Sequence, residues 1–179
     1  RVVIGGSHGK TTITSIILHV LKFYNKDFDY LVGAQIEGFD TMVKITEAPI
    51  IVLEGDEYLA SPIDRRPKFH LYHPHIALLT GIAWDHVNVF PTFHNYLDQF
   101  EIFINSILKD GSLITYKRDE YLNKMMNANA DIEVIEYEEI PHIIKAGVTF
   151  LTHEGIEYPI SLFGDHNMLN SLAAITALF

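Results

Sequence analysis

A chain of 179 residues with 48% apolar and 20% charged side chains has the length and composition of one globular domain, not of a disordered or repetitive segment. A formal net charge of −10 excludes nucleic acid as the main partner, because a phosphodiester surface needs a basic patch; a nucleotide is not excluded, since a few backbone amides and one lysine can hold it. The absence of cysteine excludes disulfides, thiolate catalysis and cysteine-ligated metals, and no apolar run approaches the roughly 20 residues of a membrane span, so a cytoplasmic chain without a signal peptide is expected.

Val2-Val3-Ile4 is a short apolar strand that runs into Gly5-Gly6-Ser7-His8-Gly9. Beyond the glycines, Ile13, Ile16, Ile17, Val20, Leu21 and Tyr24 recur at helical spacing. Residues 29–32 read as a second strand, and 41–45 and 49–53 as two more joined by a turn around Glu47. Ile50 to Leu53 is apolar throughout, as in a strand buried on both faces, and it ends in Glu54-Gly55-Asp56-Glu57. Residues 61–73 are mixed and read as a loop or short helix. The pattern then predicts a strand at 76–79, a helix at 93–108 stopped by Asp110-Gly111, a strand at 112–116, a helix at 120–129 and a strand at 132–137. Residues 147–151 and 156–160 flank His153-Glu154-Gly155 as a β-hairpin, and Asp165 or His166 opens a final helix. Strands alternating with helices predict an α/β fold: a mostly parallel sheet flanked by helices, P-loop-like, with a late antiparallel hairpin. The start at Arg1 and the end inside an apolar helical pattern suggest one domain, residues 1–179, cut from a longer protein.

The segment Gly6-Ser7-His8-Gly9-Lys10-Thr11-Thr12 joins a buried strand to a helix. Glycines let the backbone approach an anion, and the helix that follows offers its positive end to the same anion. In that arrangement Lys10 contacts the β- and γ-phosphates of a nucleotide and the Thr11 hydroxyl ligates Mg²⁺. The loop is shorter than the common phosphate loop, reading G-x-x-G-K-T. The plain alternative is a glycine turn followed by a solvated lysine.

Glu54, Asp56 and Glu57 fall at the carboxyl end of a buried strand, the rim where ligands of open α/β sheets bind. One of these acids suits Mg²⁺, a hard cation that takes oxygen ligands. Asp85-His86 belongs to the same rim and offers an imidazole to a metal or to a transferred phosphoryl group, unless Asp85 is simply a helix cap and His86 a surface residue. His70, His73 and His75 match no tetrahedral zinc spacing and read as surface residues. Asn167 and Asn170 are three apart on the last helix, so two side-chain amides share a face and suit the edge of adenine; a helix cap is the plain alternative.

In this order, the glycine loop, Glu54-Gly55-Asp56-Glu57, Thr80-Gly81-Ile82 through Asp85-His86, and Gly164 through Asn170 resemble the Mur ligase family, over essentially the whole chain. The serine–histidine loop and the E-x-D-E motif look like the branch containing the UDP-N-acetylmuramate–L-alanine and murein peptide ligases. The stretch from Tyr58 through Asp64-Arg65-Arg66-Pro67 looks closer to the latter. The resemblance implies an ADP-forming amide ligase of peptidoglycan synthesis or recycling. ATP converts the carboxylate of UDP-N-acetylmuramate to an acyl phosphate, which an amino acid or peptide amine then attacks. By matching positions, Lys10 steadies the phosphates, Thr11 and Glu54 hold Mg²⁺, His86 supports a second metal or the acyl phosphate, and Asn167 and Asn170 take the adenine side. Gly6, Ser7, His8, Gly9 and Thr12 complete the ATP loop. Several members use a carbamylated lysine after the Asp-His motif; no lysine occurs in residues 92–108, where Glu101 is the candidate carboxylate. The family's N-terminal UDP-binding and C-terminal domains are expected to be missing, which leaves this segment inactive alone. Two other readings remain open: a P-loop NTPase or kinase, and a ligase like folylpolyglutamate synthase.

Overall fold

The computed structural model describes residues 1–139, 141–153 and 155–179. Among the described residues, ten strands and four α-helices follow one another as β1 Val2–Gly5, α1 Lys10–Phe23, β2 Phe28–Leu31, β3 Val43–Lys44, β4 Ile50–Glu54, β5 Ile76–Leu79, α2 Phe93–Asn105, β6 Ser112–Tyr116, α3 Glu120–Met125, β7 Glu133–Tyr137, β8 His142–Lys145, β9 Val148–His153, β10 Ile156–Ile160 and α4 Asp165–Leu178. A 3₁₀ turn occupies Lys68–Leu71. Seven strands form one sheet in the order β3-β2-β4-β1-β5-β6-β7. Every neighbouring pair in it is parallel except β2 with β3. The expected mostly parallel α/β fold is therefore the observed one.

Side chains of the central strands alternate between two cores, as a pleated sheet covered on both faces requires. Val3, Leu53, Ala77 and Leu79 point to the side covered by α2, α3 and Phe69 of the 3₁₀ turn, where Phe100 and Phe103 are fully buried. Ile4, Val52 and Leu78 point to the other side, against Ile13, Ile17 and Leu18 of α1 and Ala173 and Ala174 of α4. The helix after β1 and the helix after β5 thus cover opposite faces, and the two strands lie side by side. Their carboxyl ends form a topological switch point, where open α/β sheets bind ligands.

Two details differ from the sequence expectation. The strand expected over 41–45 is reduced to the two residues of β3, at the sheet edge and antiparallel to β2, because β4 is already flanked by β1 and β2. The late hairpin, whose turn residue Glu154 lies outside the described residues, is part of a separate three-stranded sheet. Its third member, β8, pairs antiparallel with β9, Ile143 opposite Phe150.

Candidate nucleotide and cation site

The carboxyl ends of β4, β1 and β5, adjacent in the sheet, deliver the acid motif, the glycine loop and the segment from Thr80 to His86 to one rim. The loop residues Gly6 and Gly9 have φ of +112° and +83°, values that side-chain-bearing residues rarely adopt. A Cβ on Gly6 would lie 2.8 Å from Thr80 N and 3.0 Å from Gly81 O, so glycine is also required by the closeness of the neighbouring turn. That turn is fastened to the loop: Ser7 N donates to Gly81 O at 3.0 Å, and the Thr80 hydroxyl donates to His8 O at 2.6 Å. The Ser7 hydroxyl donates to Ala83 O and accepts from Ala83 N, each at 2.8 Å. The Ser7 hydroxyl therefore braces the loop against the neighbouring turn.

α1 begins at Gly9 with no side-chain cap, whereas α2 and α3 are capped by Thr92 and Asp119. The N–H groups of Lys10, Thr11 and Thr12 have no intrahelical partners, which leaves a positive, donor-rich end for an anion. Lys10 Nζ donates to Gly6 O at 2.7 Å and to Glu57 Oε2 at 3.0 Å. The Thr11 hydroxyl donates to Glu54 Oε1 at 2.8 Å, and the other oxygen of Glu54 accepts from Gly33 N at 2.9 Å. The dipeptide Lys10-Thr11 thus engages two acids of the following motif.

Those acids separate into two groups. Glu54, the last residue of β4, lies with Thr11 and Gly33. Beyond Gly55, whose N–H is tied to Ile4 O at 2.7 Å, the chain turns and brings Asp56 and Glu57 to His86, with ligand atoms of all three within 4.8 Å of one another. Sequence reasoning gave Glu54 to one Mg²⁺ with Thr11 and left His86 to a second metal or the acyl phosphate without naming a carboxylate partner; in the structure the carboxylate beside His86 is Glu57, 3.4 Å from Nε2. Glu57 is only 1% exposed and also accepts from the Tyr96 hydroxyl at 3.3 Å. Burial acts to raise the Asp56 carboxyl, but the Lys68 ammonium at 2.6 Å and the Tyr58 N–H outweigh it and hold it below the ordinary carboxylate value. His86 has φ +54° and its ring edge meets Tyr58, 5.2 Å between centroids. A hydroxyl, three carboxylates and one imidazole, oxygen-rich and net negative, suit a hard divalent cation. Glu101 does not join them. Lying five residues beyond Tyr96 on α2, it is turned by about 140° and displaced by about 7.5 Å along the axis, and it is exposed.

A cleft of about 520 Å³ opens on the other side of the loop. Ser7, His8 and Gly9 form one wall, Thr80 to Ala83 the floor, and Tyr116, Asp119, Glu139 and the start of α4 with Asp165, His166, Leu169 and Asn170 the rest. Asn170 lies against the loop: a Cβ on Gly9 would approach its Oδ1 to 2.5 Å. Asn167 does not line the cleft; its amide donates to Phe163 O at 2.9 Å and fastens the first turn of its own helix. The structure brings Asn170, not Asn167, to the candidate nucleotide cleft. The histidines expected at the surface part ways as well: His75 is exposed, while His70 is half-buried, its Nε2 donating to Gln99 O at 2.8 Å.

Two contributors escaped sequence reasoning. Tyr96 falls on the apolar face of α2 with Phe100 and Phe103 and reads as core, yet its hydroxyl reaches Ser7 and Glu57. Asp119, a recognisable helix cap, also accepts from Ile82 N at 2.8 Å and so holds the turn that braces the loop.

The family model described as the Mur ligase middle domain matches residues 4–178. The UDP-N-acetylmuramate–L-alanine ligase of Clostridium botulinum (strain Loch Maree / Type A3) is 30% identical over 192 residues, covering 98% of this chain and 39% of that protein. The chain therefore spans about two fifths of the curated relatives it matches. Among solved structures, the UDP-N-acetylmuramate:L-alanyl-gamma-D-glutamyl-meso-diaminopimelate ligase from Neisseria meningitides superposes with a TM-score of 0.84 at 25% identity, over 99% of this chain and 60% of that one. A MurF ligase from Thermotoga maritima in complex with ADP has the same fold, with a TM-score of 0.73 at 18% identity over 99% of this chain and 44% of that one.

Proposed function

This chain belongs to the Mur ligase middle-domain family, and from that premise we propose that it is the ATP-binding segment of a cytoplasmic, ADP-forming ligase acting on UDP-N-acetylmuramate and an amino acid or peptide. The observation that carries the reading is the uncapped start of α1 with Lys10 and Thr11 each bound to a different acid of the same motif. In this reading the flanking UDP-binding and amine-positioning domains belong to the longer protein, and this segment alone ligates nothing.

The N–H groups at the start of α1 and the Lys10 ammonium take the β- and γ-phosphates, and Lys10 leaves Glu57 to do so. Thr11 and Glu54 hold Mg²⁺ on one side; His86, with Glu57 and Asp56, holds a second cation or faces the acyl phosphate. Bound Mg²⁺ neutralises charge on the phosphate oxygens. A carboxylate oxygen of the muramyl substrate attacks the γ-phosphorus and ADP leaves; the amine then attacks the acyl carbon, loses a proton, and inorganic phosphate leaves. The contribution of the segment is positioning and charge neutralisation in a fixed frame. The cleft with Asn170 takes the adenosine end, supported by its continuity with the loop.

ADP release by the complete enzyme tests this. Sustained release over many turnovers is expected only when UDP-N-acetylmuramate and an amino acid or peptide are both present, and is expected to vanish in Lys10→Ala. ADP release with ATP and Mg²⁺ alone would assign the segment to an NTPase instead.

A further inference from the structure

The Tyr96 hydroxyl has more acceptors than it can serve. It lies 3.2 Å from Ser7 Oγ and 3.3 Å from Glu57 Oε1, and the tyrosine is fully buried. The single proton of Ser7 is already directed to Ala83 O, and Ser7 Oγ accepts from Ala83 N. Ser7 Oγ and Glu57 Oε1 therefore share one donor, the Tyr96 proton. Burial, with the Glu57 carboxylate beside it, pushes the tyrosine far above its ordinary pKa, so it stays a neutral donor. Glu57, 1% exposed, has three donors within reach among the described residues: Lys10, His86 and Tyr96. His86 donates only when Nε2 carries a proton.

On the reading above, Lys10 moves from Glu57 to the nucleotide phosphates. A buried carboxylate that loses its ammonium partner must find another donor or pay its full desolvation cost. Tyr96 does not move with Lys10. It is anchored on α2, its ring 5.5 Å from Phe90 and 5.1 Å from Phe100 between centroids. We propose that Tyr96 is a positioning residue that holds Glu57 in place for the cation once Lys10 has turned to the phosphates, and that by sharing its hydroxyl with Ser7 it couples this acid to the brace of the phosphate loop. It touches neither the nucleotide nor the reacting atoms. The inference rests on the proposed nucleotide site.

Nucleotide affinity with and without Mg²⁺ separates this role from mere packing. Tyr96→Phe keeps the ring and removes only the hydroxyl, and its melting temperature verifies the fold. With ATP and Mg²⁺, wild-type chain binds and Tyr96→Phe binds about tenfold more weakly, the scale of one hydrogen bond to a charged group. Without Mg²⁺ there is no cation to position, and His86, then free of it at 3.4 Å from Glu57, serves as the remaining donor, so the two differ by less than about twofold. Ser7→Ala, combined with Tyr96→Phe, costs less affinity than the two separate losses added, because both act through one shared hydroxyl. Equal loss with and without Mg²⁺ would make Tyr96 a packing residue, and no loss at all would leave it without a role; either result overturns the proposal while the nucleotide site stands. Failure of the wild-type chain to bind ATP would overturn both.

Discussion

Removing the Lys10 ammonium should destabilise the free protein as well as disarm it. Lys10 and Glu57 are 3.0 Å apart with side chains only 16% and 1% exposed. Breaking a buried pair on one side strands the other charge, at about 3–5 kcal/mol when nothing else compensates. Here Tyr96 and His86 remain at 3.3 and 3.4 Å from Glu57, which reduces the expected loss. We expect about 2–3 kcal/mol for Lys10→Met, or roughly 5–10 °C in melting temperature for a chain of this size. Lys10→Met with Glu57→Gln removes both charges, leaves an acceptor for Tyr96, and should recover most of that loss while binding no more nucleotide than the single variant. Chemical denaturation of the three proteins without nucleotide measures the differences. A Lys10→Met protein as stable as wild type, or a double variant no more stable than the single one, would refute the reasoning that Glu57 is a buried charge held by Lys10.

Gly6→Ala should cost about 2–4 kcal/mol, seen as a lower denaturation midpoint, because its Cβ meets Thr80 N and Gly81 O, backbone atoms that cannot step aside, and its φ of +112° is strained for alanine. Asp119→Ala removes a cap worth about 1 kcal/mol and also frees Ile82 N, so hydrogen exchange should quicken at Ile82 as well as at Tyr121 and Leu122. Burial holds His70 below its ordinary value of 6.5. Its neutral form is therefore favoured in the folded state, stability from it is complete above that value, and it is lost as pH falls through 6.5 toward the folded pKa. Melting temperatures at pH 7 and pH 5 should differ more for wild type than for His70→Gln, and an equal difference would contradict the assignment.

The fold was legible because its signals are local. Ile50 to Leu53 announced a doubly covered strand, and the glycines between Ile4 and Lys10 marked a turn from strand to helix. β8 escaped because His142–Lys145 is short and only its partner β9 makes it a strand. The division of labour among the acids escaped for another reason. Glu54, Asp56 and Glu57 are interchangeable by type, and which one meets His86 depends on the bend at Gly55, fixed by a bond to Ile4 on another strand. Asn167 and Asn170 share a helix face, yet the first is consumed by the carbonyl of Phe163, and only the second stands against Gly9. Tyr96 was concealed by its own packing: helical spacing reports the ring and says nothing of the hydroxyl.

The most direct test of the account is a crystal structure of the chain with Mg²⁺ and a non-hydrolysable ATP analogue. The account predicts the triphosphate on the N–H groups of residues 9–12, Lys10 withdrawn from Glu57 onto the phosphates, and the base in the cleft beside Asn170. A nucleotide bound elsewhere, with Lys10 still paired to Glu57, would contradict it.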